Sequence, residues 1–128
     1  MKIRAAILVM KDWKERAFLR AELLEHGIRT LAVETADDAD EWISDERVIP
    51  LIVIYDNRLQ ENPSEDVKRL RKFISTIPVL ILAGAEEKNT GEIRSLGFDH
   101  IILRPVSIGE VVKKVKEILS LSYRRGKS

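Results

Sequence analysis

The chain has 128 residues, with 22 Lys plus Arg against 21 Asp plus Glu for a formal charge of +1, and no cysteine. That length suits one domain with a real core and is too short for two ordinary ones. Balanced charge gives no whole-molecule pull toward nucleic acid or an acidic substrate, and the lack of cysteine excludes disulfides and thiolate metal sites. The opening MKIRAAILVMKD carries an apolar run too short for a signal peptide or a membrane span. A soluble cytoplasmic protein is the expectation, with no membrane contact and no direct contact with nucleic acid.

Taken in chain order, apolar runs predict strands over Arg4 to Met10, Thr30 to Val33, Leu51 to Asp56, Val79 to Ala83 and His100 to Leu103. The run from Leu51 to Tyr55 has no polar break, as in a strand buried on both faces, and it ends abruptly in Asp56. Helical segments separate the strands. Their starts are marked by acceptor side chains followed by acids: Asp12 with Glu15, Thr35 with Asp38, Asn62 with Pro63 and Glu65, Asn89 with Glu92, and Ser107 with Glu110. Gly27 and Gly97 stand where left-handed helix ends are expected. In the last segment Ile108, Val111, Val112, Val115, Ile118 and Leu119 form one apolar stripe, with Lys113, Lys114 and Lys116 off it.

This β-α alternation, repeated five times, predicts a doubly wound α/β fold, because strands separated by helices pair in parallel through right-handed crossovers. The final SYRRGKS loses the periodicity and turns basic. The expected division is therefore 1–121 as the domain and 122–128 as a frayed basic tail or the start of a linker.

In such sheets ligands bind beyond the carboxyl ends of the strands. The residues there are Lys11 and Asp12 after the first strand, Asp56 ending the third, Ala83 and Gly84 after the fourth, and Arg104 and Pro105 after the fifth. With 44 residues separating Asp12 from Asp56, this pattern resembles the receiver domains of two-component response regulators, the CheY-like family, over about Ile3 to Leu121. The resemblance implies a flavodoxin-like, three-layer fold with strand order 2-1-3-4-5. It also implies a phosphoacceptor at Asp56, Mg²⁺ held by Asp12 and Asp56 with the Arg58 carbonyl, and a cis peptide before Pro105.

Departures from the family pattern are equally specific. Lys11 replaces the first acid of the metal pair, Ala83 the phosphate-binding hydroxyl, Arg104 the lysine and Ile101 the switch aromatic, while Gln60 stands where a proline commonly follows the phosphoacceptor. The chain therefore looks like a degenerate receiver, not an enzyme, in which Mg²⁺ is doubtful. Its expected partners are a histidine kinase or another signalling protein. A homodimer is also expected, through the face of the fourth helix, fifth strand and fifth helix, with Lys113, Lys114 and Lys116 set against acids such as Glu92.

Each site residue has a plainer role beside the functional one. Asp12 and Glu15 suit a helix capping box, and Arg104 suits either a pair with Asp56 or a solvated rim cation. The Lys11 ammonium is expected between Asp12 and Asp56, neutralising them in place of a metal. A working receiver phosphorylated on Asp56 is the second reading. A small-molecule or flavin binder is a third, although the turn KDWKE lacks the Ser, Thr and Gly of a phosphate-binding loop. His26 and His100 read as surface or helix-end residues, Trp13 and Trp42 as packed or half-buried, and the terminal GKS as a chance echo of a P-loop.

Overall fold

The computed structural model describes residues 1–84 and 90–127, with side chains to residue 121. Strands β1 (Ile3–Val9), β2 (Thr30–Val33), β3 (Val48–Asp56), β4 (Val79–Ala83) and β5 (His100–Leu103) alternate with helices α1 (Trp13–Glu25), α2 (Ala36–Ile43), α3 (Pro63–Leu70), α4 (Thr90–Ser95) and α5 (Ile108–Lys127). A short 3₁₀ turn, Arg71–Phe73, continues α3. Every strand pair is parallel and the order is β2-β1-β3-β4-β5. The switch in order falls between β1 and β3, so the carboxyl ends of those two strands open the rim crevice.

Two apolar clusters cover the two faces of the sheet, and the strands feed them alternately. Ile7, Val9, Val53, Tyr55, Val79 and Ile81 point toward α2, α3 and α4. Leu8, Ile52, Ile54, Leu80 and Leu82 point toward α1 and α5 with Leu19, Leu23, Val111, Val112, Val115 and Ile118. Because both faces are covered, the strands read as unbroken apolar runs rather than alternating ones.

The third strand starts earlier than its apolar run, at Val48, and includes Pro50. Pro50 is tolerated because β4 pairs only with Val53 to Asp56, so its missing N–H faces no neighbouring strand there. The register shifts between Ala5 and Ala6, which pair with Pro50 and Ile52, and Leu51 is the extra residue of a bulge. At the other end of the chain the α5 backbone stays helical to Lys127, past the expected fraying point at Leu121. Ser122, Tyr123 and the two arginines are compatible with a helix, and Gly126 costs only about 1 kcal/mol within one, so the loss of periodicity does not end the helix.

The caps follow the expected chemistry. Thr35 accepts from the Asp38 amide, Asn62 from Glu65 and Ser107 from Glu110; Asn89 lies outside the described residues. Gly27 and Gly97 end α1 and α4 with φ of +79° and +101°. A Cβ at Gly27 would meet nothing, whereas one at Gly97 would approach Ile74 Cδ1 to 2.8 Å. Gly27→Ala should therefore cost about 1 kcal/mol in urea unfolding, from backbone conformation alone, and Gly97→Ala somewhat more, about 1–2 kcal/mol. Equal losses would mean that Ile74 yields freely.

Candidate functional site at the carboxyl edge of the sheet

The parity of β3 carries Asp56 to the α1/α5 side of the sheet. Ile52 and Ile54 lie on that side, and Asp56 continues their register with no solvent exposure. Arg104 arrives by the same logic from β5: Ile102 packs on that side, and the Arg104 amide still donates to the Ala83 carbonyl at 2.8 Å. The Arg104–Pro105 peptide is cis.

Asp56 Oδ1 accepts from the Arg58 amide at 3.2 Å and from Arg104 Nε at 3.3 Å. Arg104 Nη2 stands 3.1 Å from Asp56 Oδ2, close enough for an ion pair but not aligned for a hydrogen bond. Burial raises the Asp56 pKa above the ordinary carboxylate value. The Arg104 charge and the Arg58 amide oppose that shift and do not overcome it. For Arg104, burial works against the charge, but the hydrogen bond to Glu15 and the charge of Asp56 more than offset it, and its pKa rises.

Glu15 joins the two halves of the site. Its Oε1 accepts from Arg104 Nη2 at 2.6 Å and its Oε2 from Arg58 Nη2 at 2.9 Å. Arg58 Nη2 also reaches Asp12 Oδ2 at 3.1 Å. Asp12 Oδ1 caps α1, accepting from the amides of Lys14 and Glu15 at 3.0 and 3.1 Å. The Glu15 amide bond is the chief cause of a lowered Asp12 pKa. Three carboxylates and two guanidiniums thus form one continuous network.

Two expectations for this rim are corrected. Lys11 does not lie between Asp12 and Asp56: its ammonium makes no ion pair among the described residues. The turn is held by Arg16, whose Nη1 donates to the carbonyls of Met10 and Lys11 at 2.8 and 3.4 Å. The guanidiniums of Arg58 and Arg104 occupy the neutralising position instead. The capping box is only half formed, because the Glu15 carboxylate is spent on the two arginines rather than on the Asp12 amide.

The other rim residues fall as follows. Ala83 is fully buried at the end of β4, and Ile101 packs half-buried on the α2/α3/α4 side. The side chain of Gln60 leaves the site and donates to the Glu34 carbonyl at 2.9 Å. Beneath the rim, Tyr55 donates to Asp66 at 2.5 Å; burial raises the Tyr55 pKa further out of reach, with Asp66 adding to it. Trp13, expected to pack, stands 65% exposed as the first residue of α1, while Trp42 packs against the α2-side cluster. His26 caps the carboxyl end of α1. Lys113 and Lys116 do not share a face with α4; they line a groove of about 630 Å³ between α1 and α5 with Glu22, His26 and Glu117.

No helix among the described residues is long and apolar enough to cross a membrane. No protein-family profile matches the sequence, and no curated protein matches it. Solved structures do match. The receiver domain of Francisella response regulator 1452 is 22% identical, with a TM-score of 0.77 over 93% of this chain and 98% of that one. The receiver domain of NtrX from Brucella abortus is 19% identical, with a TM-score of 0.76 over 90% and 98%. The receiver domain of TorR, the TMAO respiratory system response regulator, is 19% identical, with a TM-score of 0.77 over 91% and 97%. The five-stranded parallel sheet in order 2-1-3-4-5, with helices on both sides, is thus the flavodoxin-like fold of response-regulator receiver domains.

Proposed function

We propose that this chain is a receiver-type signalling domain that works through protein contacts, and that a standing ion-pair network replaces the phosphoryl chemistry of its rim. The observation that carries this reading is the closure of Arg104 and Arg58 on Asp56, Glu15 and Asp12. The carboxylate that would take a phosphoryl group is already buried and ion-paired, and Ala83 has no hydroxyl to meet a phosphoryl oxygen.

The donor set does not suit Mg²⁺. Both Asp12 oxygens are engaged, one by amides and one by Arg58. A divalent ion between Asp12 and Asp56 would sit against two guanidiniums, and no trio of acid, His or Cys ligands is assembled among the described residues. Residues 1–121 would be the signalling unit, with 122–128 a basic tail to it. A histidine kinase or another signalling protein of the cytoplasm would be the partner, and no catalytic turnover is expected.

The test is incubation with Mg²⁺ and acetyl phosphate, followed by intact-mass measurement and peptide mapping. The expected outcome is no phosphoryl adduct on Asp56. Stoichiometric modification at that residue would instead establish the working receiver.

A further inference from the structure

Helix α1 is apolar on both sides. Its inner face buries Leu19 and Leu23, yet Trp13, Phe18 and Leu24 on the outside are 65%, 59% and 55% exposed. At about 100° per residue, Trp13, Ala17, Ala21 and Leu24 fall within a sector of roughly 80°. This is an apolar stripe with nothing packed upon it among the described residues. An ordinary surface helix would place polar residues there.

The charges beside the stripe are inverted with respect to the helix dipole. Lys14 lies in the first turn, where a cation is unfavourable, and Glu25 is the last helical residue, where an anion is unfavourable. The two sit on the same edge of the stripe, roughly 20° apart around the axis. Lys14 lies over the Trp13 ring, 5.6 Å from its centroid, and neither Lys14 nor Glu25 forms a salt bridge among the described residues.

We propose that α1 packs antiparallel against α1 of a second copy of this chain across a two-fold axis. An isologous antiparallel contact maps each edge of the stripe onto itself with its direction reversed. Lys14 of one copy then meets Glu25 of the other, twice, and Trp13 packs against the partner's Leu24. A parallel two-fold would instead swap the edges and turn Lys14 toward the partner's edge that carries Arg16 and Arg20. On that edge Arg20 is turned away from the seam, donating from Nε to its own Thr30 carbonyl at 3.1 Å. Charge placement that is poor for an isolated helix becomes complementary in this pair.

A helix of 13 residues covers a small interface, so the dimer should be weak, with Kd on the order of 10–100 µM. Sedimentation velocity over a concentration series tests it, using the full chain. Lys14→Glu and Glu25→Lys should each weaken association on the order of tenfold, and the double variant should restore it. Each single variant should keep its Tm within about 3 °C of wild type, which separates association from folding. Trp13→Glu should abolish the dimer, whereas Leu103→Glu, on the exposed end of β5, should leave it intact. A wild type monomeric at about 1 mM would overturn the proposal. So would loss of association on Leu103→Glu, or a charge-swapped double variant no better than either single.

Discussion

Arg104→Met should destabilise the domain by about 3–5 kcal/mol at neutral pH, while Asp56→Asn should leave it within about 1 kcal/mol of wild type or make it more stable. The asymmetry comes from what each change leaves behind. Without Arg104, the fully buried Asp56 keeps only the Arg58 amide at 3.2 Å, and its charge has no counterion in contact. Without the Asp56 charge, Arg104 keeps Glu15 at 2.6 Å, and the cost of burying an ionised carboxylate disappears. The pH dependence has a definite sign. Because burial raises the folded-state pKa of Asp56 above 3.8, its contribution to stability is fully present below 3.8 and is lost as pH rises through the raised folded value. Arg104→Met raises that value further, so the deficit relative to wild type should be largest near pH 7 and shrink toward pH 4. Urea unfolding of the three proteins at several pH values reads this directly. A deficit in Arg104→Met that stays the same at every pH would show that the loss is one of packing alone.

The strands and their order of appearance were readable because both faces of the sheet are covered, and a covered strand has no choice but a continuous apolar run. Tyr55 and Ile54 face opposite clusters and are equally buried. Asp56 and Arg104 were readable for a related reason: each breaks such a run at the carboxyl edge, where only polar function or solvent explains a charge. Lys11 was misjudged because adjacency to Asp12 in sequence says nothing of side-chain direction once Arg16 has pinned the Met10 and Lys11 carbonyls. Pro50 hid the start of β3 because a proline normally stops a strand, and only the short reach of β4 makes it harmless here.

Glu15 and Arg58 were the members of the ion-pair network hardest to see. An acid three residues after an N-cap has an ordinary explanation in the cap itself, and an arginine in a turn has none of the periodicity that marks a packed residue. Their role exists only because the β1–α1, β3–α3 and β5–α5 connections converge at one point. The available signal was charge complementarity at the rim: Lys11, Arg58 and Arg104 against Asp12, Glu15 and Asp56. That count fits several pairings, and the backbone decides among them. The same convergence makes the network a poor host for a second cation, which ties the structural identity of Glu15 to the proposed silence of the site.

Glu15→Ala is the sharpest probe of that connection. Its carboxylate, 23% exposed, bridges two guanidiniums through hydrogen bonds of 2.6 and 2.9 Å. Charge-assisted hydrogen bonds of this kind contribute about 1.5–3 kcal/mol each when buried and less with partial exposure, so the loss should be about 2–3 kcal/mol. The two arms are unequal. Arg58 is 41% exposed and retains Asp12, whereas Arg104 is 14% exposed and retains only Asp56. In double-mutant cycles Glu15 should therefore couple to Arg104 by more than 1 kcal/mol and to Arg58 by a few tenths. Glu15→Gln should recover less than half of the loss, since a neutral amide presents one acceptor where two guanidiniums need two. Equal coupling to both arginines, or full recovery by glutamine, would mean that Glu15 serves the α1 cap and does not anchor the network. If the coupling is as unequal as the exposures imply, Arg104 and Glu15 form the permanent core of the site, and Arg58 is the side chain that a binding partner can displace from it.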